Sequence, residues 1–230
     1  LMQNHSQKIL KVLLVFLLVL APFKSFAKTH SVEGEYAKIT LISEHNKIVS
    51  GQESQIMLHV ELEESWHSYW DNPGDTGFPS RLEFNSDSVK IIGQESQAPE
   101  IITYQEFVNY GYSDEFYIHY DIKYADKIEN NKLEINLNFT YLVCNEICLP
   151  ETAHLNYHVD VANIAETNYT FADYIKKSQE KFPVSTIDTS FNLIDGNLII
   201  DLPELDIDDQ IYFFARTENL IKYTNNQDVI

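Results

Sequence analysis

Apolar and polar residues alternate with period two along four stretches of the chain. In "QIMLHVEL", Ile56, Leu58, Val60 and Leu62 share one face, with Met57, His59 and Glu61 on the other. In "EFYIHYDIKY", Phe116, Ile118, Tyr120 and Ile122 alternate with Tyr117, His119 and Asp121. In "KLEINLNFTYLV" the apolar set is Leu133, Ile135, Leu137, Phe139, Tyr141 and Val143; in "TAHLNYHVDV" it is Ala153, Leu155, Tyr157, Val159 and Val161. Half-buried antiparallel strands produce this pattern. Shorter strand candidates lie at 35–43 and 89–92, and "NPGDTG" (72–77) and "ENNK" (129–132) are composed like turns. The pattern predicts an all-β chain, with an immunoglobulin-like antiparallel sandwich in a domain spanning 28–162. Trp66, Tyr69 and Trp70 are expected to pack that sandwich, with a functional His67 as the lesser alternative.

The pattern then changes. "TNYTFADYIKKSQEKFP" (167–183) predicts a short helix with Phe171, Tyr174 and Ile175 on one face and Pro183 as its stop. It lies in a linker taken as 163–185. "FNLIDGNLIIDLPEL" predicts a hairpin turning at Asp195-Gly196, and "QIYFFAR" (210–216) predicts another strand. Residues 186–230 are therefore expected to begin a second β domain. Three strands cannot close a stable sandwich, so further chain is expected to follow.

The N-terminus alters the picture of where this fold works. Lys8 and Lys11 precede an apolar run from Val12 to Leu20, and Ser25-Phe26-Ala27 offers small residues where a signal peptidase reads. The run is far shorter than the ~20 residues of a membrane span. Residues 1–27 are expected to be a cleaved signal peptide, which puts the rest in the periplasm, where disulfides form and persist. Removing a leader with three lysines and no acids takes the formal charge from −19 to −22. Such a surface repels nucleic acid and anionic lipid, so no nucleic-acid partner is expected.

The chain has two cysteines, Cys144 and Cys148, in "TYLVCNEICLP". In a continuous strand they would lie ~13 Å apart at ~3.3 Å per residue, and a disulfide needs Cα atoms within about 7 Å. The chain must therefore turn between them, and a hairpin tip at Asn145-Glu146-Ile147 lets the pair close. As a staple it would add little, because a loop of about five residues stabilises by roughly 2 kcal/mol. A metal site of Cys144, Cys148, His154 and His158 fails on geometry. The two histidines lie ~13 Å apart on one strand, too far to converge with the cysteines on one ion. No metal or cofactor is expected. The neighbouring Glu146 and Glu151 do not favour a thiolate, so exchange would take place inside a docked complex. The residues alone leave two functions open, thiol–disulfide exchange and an inert crosslink in a binding or assembly sandwich.

Three motifs in order, "SWHSYWDNPGDTGFPSRLEF" (65–84), "NYGYSDEF" (109–116) and "YLVCNEICLPE" (141–151), resemble the N-terminal periplasmic domain of the thiol:disulfide interchange protein DsbD, in its ScsB-like branch. The resemblance covers about 35–162. It implies a protein-disulfide reductase module with Cys144 and Cys148 as the redox-active pair. It also implies a cap loop over the disulfide, matched here by "FVNYGY" with Phe107, Asn109, Tyr110 and Gly111. Implied partners are periplasmic thioredoxin-fold proteins, such as disulfide isomerases and cytochrome c maturation thioredoxins. The implied electron donor is a transmembrane reductase domain on the same full-length, membrane-anchored chain. The ScsB-like branch adds an alternative, metal handling in copper stress. The chain departs from the better-known members in two ways. They space the cysteines more widely, and they carry Phe where this chain has Asn109, leaving Phe107 as the substitute.

Overall fold

The computed structural model describes residues 30–183, 189–201, 211–224 and 227. The expected signal peptide, 1–27, lies outside the described residues. Strands run in the order β1 (His30–Glu33), β2 (Ala37–Ser43), β3 (His45–Ile48), β4 (Glu53–Leu62), β5 (Ser68–Gly74), β6 (Arg81–Phe84), β7 (Val89–Ser96) and β8 (Glu100–Tyr104). They continue with β9 (Phe107–Tyr112), β10 (Glu115–Tyr124), β11 (Lys132–Cys144), β12 (Cys148–Val161) and β13 (Glu166–Thr167). Helix α1 (Tyr169–Ser178) ends in a 3-10 turn, Gln179–Lys181, and a hairpin of β14 (Ser190–Ile194) and β15 (Asn197–Asp201) follows.

The chain is all-β and immunoglobulin-like, as the alternation predicts. One sheet has the order β1-β2-β4-β10-β7 and the other β13-β3-β12-β11-β6. Pairing is antiparallel except between β3 and β12. The apolar sets read from the sequence fill the space between the sheets: Ile56, Leu58 and Val60 from β4, Phe116, Ile118, Tyr120 and Ile122 from β10, and Leu133 to Val143 from β11. A third sheet, β5-β9-β8, closes one end.

Three features differ from the sequence reading. Met57 and Tyr117, on the faces of β4 and β10 turned away from the core, are buried as well. Helix α1 covers them, with Phe171, Tyr174, Ile175 and Phe182 packed on Ile42, Met57 and Tyr117. The helix starts where Asn168 caps it, accepting from Thr170 N and donating to Ser43 O. Second, Asn72-Pro73-Gly74 belongs to β5 rather than to a turn, and the turn begins at Asp75. Third, residues 211–215 form no strand. Their aromatic side chains pack on the sandwich instead, Tyr212 and Phe214 against its core.

Candidate functional site

β11 and β12 pair without a break from Lys132↔Asp160 to Cys144↔Cys148. A two-residue period over thirteen positions fixes this register, because a slip of one would turn Leu137, Phe139 and Val143 out of the core. The register sets the cysteines opposite each other at the hairpin tip, Cα atoms 4.1 Å apart, joined as a disulfide. The loop Asn145-Glu146-Ile147 closes by a bond from Asn145 N to Ile147 O.

The two sulfurs are not equivalent. Cys144 falls on the same side of β11 as Leu142 and is only 1% exposed, while Cys148 is exposed. What buries Cys144 is Tyr69. Its ring packs with Leu142 and Cys144 in a small cluster separate from the main core. Its hydroxyl donates to Cys144 Sγ at 3.2 Å and lies 3.8 Å from Cys148 Sγ. Burial pushes the Tyr69 phenol above its usual range, so the hydroxyl keeps its proton near neutrality.

Neighbouring residues hold Tyr69 there. Gly77, at φ +93°, lies flat against the ring, where a Cβ would stand 2.5 Å from Cε1. On the strand side Tyr69 pairs with Gly111 of β9, where a Cβ would run into the carbonyl of Ser68. Thr76 interacts with the Tyr69 hydroxyl. Thr76 is itself held by buried Asn109, whose Oδ1 accepts from both Thr76 N and Thr76 Oγ1 at 3.0 Å. The backbone of His67 clasps Cys144 from the other side, by paired bonds of 2.9 Å in each direction. The His67 ring lies edge-on to Tyr69 at 5.5 Å, and burial lowers its pKa, keeping it neutral at neutral pH.

The segment expected to cap the disulfide is thus β9, and its members part company. Gly111 lies beside Tyr69, and Asn109 acts at one remove through Thr76. Phe107 is 37% exposed at the start of the strand. Tyr110 faces the main core, its ring against Phe214 at 4.9 Å and Tyr223 at 5.3 Å. The residue touching both sulfurs is Tyr69, which the sequence reading assigned to sandwich packing. Strand parity held the signal: once Trp70 is in the core, Tyr69 must point to the other side. His154 and His158 each meet a neighbour on β11, Asn138 and Glu134. Among the described residues no group of three or more His, Cys, Asp or Glu could hold a metal ion.

The site is an asymmetric disulfide at one hairpin tip of a β-sandwich, and comparison by sequence places the chain in a family. The family described as "Thiol:disulfide interchange protein DsbD, N-terminal" matches residues 40–159. The chain belongs to that family of thiol–disulfide interchange domains, each with its cysteine pair. The N-terminal periplasmic domain of ScsB from Proteus mirabilis superposes with a TM-score of 0.53 at 19% identity, over 70% of this chain and 61% of that one. This chain thus spans under two thirds of that structure. The N-terminal domain of Neisseria meningitidis DsbD in its reduced form is also similar, at 10% identity and a TM-score of 0.34, over 60% of this chain and 89% of that one. No curated protein matches by sequence. Among the described residues, no helix is long and apolar enough to cross a membrane.

Proposed function

We propose that residues 28–162, after removal of the leader 1–27, form a periplasmic exchange module. It takes electrons from a membrane reductase domain and passes them to thioredoxin-fold proteins through Cys144 and Cys148. Residues 163–185 serve as a linker. The observation that carries this reading is the inequality of the two sulfurs: one exposed, the other buried under a tyrosine hydroxyl that donates to it.

The chemistry follows from that inequality. A donor thiolate attacks exposed Cys148 Sγ, the Cys144–Cys148 bond breaks, and Cys144 leaves as a thiolate. Tyr69 donates to the new charge, and a hydrogen bond to an ionised acceptor is roughly twice as strong as one to a neutral acceptor. It therefore favours the leaving group, which sets the rate of exchange along with the attacking thiol. A second donor thiolate then attacks the mixed disulfide and frees Cys148. The donor ends as a disulfide and the pair as two thiols, with two protons taken up. Delivery runs in the other direction. Cys148 attacks the disulfide of an acceptor protein, and Cys144 resolves the mixed disulfide. The acceptor leaves reduced and the Cys144–Cys148 bond re-forms.

Redox titration against glutathione tests the reading. The exchange function requires a potential above about −300 mV, and a value below it is that of a structural crosslink.

A further inference from the structure

Strand β5 carries Tyr69, yet it is poorly held by its own sheet. It pairs with β9 at Ser68↔Tyr112, Tyr69↔Gly111 and Gly74↔Asn109, and the register breaks between Tyr69 and Gly74. Another part of the chain, residues 211–223, is fastened to that interval. Asn72 lies in it and is 0% exposed. Its Nδ2 donates to Ala215 O at 2.6 Å, and its Oδ1 accepts from Tyr223 Oη at 3.1 Å and from Gly74 N at 3.1 Å. Tyr223 Oη in turn accepts from Asn219 N. On either side of Asn72 the contact continues. Phe214 lies edge-on to Trp70 at 6.2 Å and to Tyr110 at 4.9 Å, and Arg216 reaches Asp71 at 3.9 Å over the Trp70 ring. A buried amide with both ends satisfied by a distant segment is costly to strip of those partners.

We propose that residues 211–223 are a strap whose clasp on Asn72 keeps β5 in the position from which the Tyr69 hydroxyl donates to Cys144 Sγ, so that releasing the strap withdraws that donor from the leaving sulfur and slows reduction of Cys144–Cys148. Asn72 and Phe214 are positioning residues in this account and touch neither sulfur. On the exchange reading of the pair, the strap lets the chain beyond the linker set how readily the disulfide is reduced.

The test is the rate at which dithiothreitol reduces the disulfide in the whole 28–230 chain under native conditions. The reagent is oxidised to its cyclic disulfide while Cys144 and Cys148 become thiols. No partner protein is needed, so the result stands whether or not the pair exchanges with proteins. Asn72→Ala and Phe214→Ala should each slow reduction by about fivefold, the factor that corresponds to losing the one net hydrogen bond from Tyr69 to the leaving Cys144. Met57→Ala, which loosens the core under α1 instead, should leave the rate within about twofold of the parent chain. In a Tyr69→Phe background the two strap variants should lose most of their effect, because effects acting through one shared side chain are not additive. Strap variants that fold and are reduced at the parent rate would overturn the proposal. So would an acceleration, a slowing no greater than that of Met57→Ala, or a slowing that persists undiminished with Tyr69→Phe.

Discussion

Helix α1 and the segment 211–223 both lie beyond the residues that match the family, and both cover the sandwich, but by different chemistry. The helix covers β4 and β10 with an apolar face. Phe171, Tyr174 and Ile175 sit on Ile42, Met57 and Tyr117, and the polar contacts lie at the edges, where Lys181 and His59 both reach Glu115 at 2.8 Å. The segment 211–223 covers β5 and β9 with aromatic rings set around a buried polar clasp at Asn72. Apolar packing stabilises without much direction; a buried amide fixes one geometry. The helix therefore serves stability. The clasp serves position, on the strand that carries Tyr69.

The largest expected effect separates these roles. Phe171, 7% exposed, anchors the helix. Phe171→Ala should cost about 3 kcal/mol of stability, measured by denaturant melts, and leave the potential of the cysteine pair unchanged. A shifted potential would mean the two coverings are coupled. At the other end, reducing Cys144–Cys148 should cost about 2 kcal/mol or less, because it opens a short loop whose ends β11 and β12 already hold. Global unfolding on reduction would make the site a staple. Back under the helix, Asn168→Ala removes a cap that also bonds Ser43 O, and should cost ~1–2 kcal/mol without altering the rate of disulfide reduction.

A smaller effect lies in acid. Burial lowers the pKa of His119, stacked on Phe182, from 6.5 to about 4. The folded state thus binds its proton later than the unfolded state, so stability is complete above about pH 6.5 and falls as pH drops toward 4. Glu115 acts in the same direction at lower pH. Burial opposes its ionisation, but Lys181 and His59 outweigh burial and lower its pKa. Its contribution is present above the ordinary carboxylate range and is lost as pH falls through it. His119→Gln should flatten the melting temperature between pH 6.5 and 4, whereas a substitution at the far covering, such as Phe214→Ala, should leave that slope in place.

The sequence made the sandwich legible because its strands have one face in a continuous core, and period two records that directly. It also placed the cysteines on a hairpin tip, since only a turn brings residues four apart within disulfide reach. Helix α1 could be read from its apolar spacing, but not the fact that its target was the outer face of β4. The sequence shows that face as Met57, His59 and Glu61, a mixture that suits either solvent or a docked helix. Asn72 was hidden by its neighbours, because Asn-Pro-Gly-Asp is the composition of a turn, and its side chain finds its partner in a segment more than 140 residues away. "IYFFA" has the β propensity of a strand, yet its rings find the core of the sandwich instead of a sheet edge. The role of Tyr69 was available from parity alone, though parity does not say which neighbour the exposed side will meet.

Exchange through this pair depends on the inequality of the two cysteines, and trapping measures it most directly. In Cys144→Ser, Cys148 can still attack the disulfide of an acceptor protein but nothing resolves the product. A covalent complex with a thioredoxin-fold protein should accumulate in periplasmic extract on non-reducing gels, with its partner identified by mass spectrometry. Cys148→Ser should give little or none, because the remaining thiol lies buried beneath Tyr69. Equal trapping by both variants, or stronger trapping by Cys148→Ser, would contradict the assignment of Cys148 as the attacking sulfur.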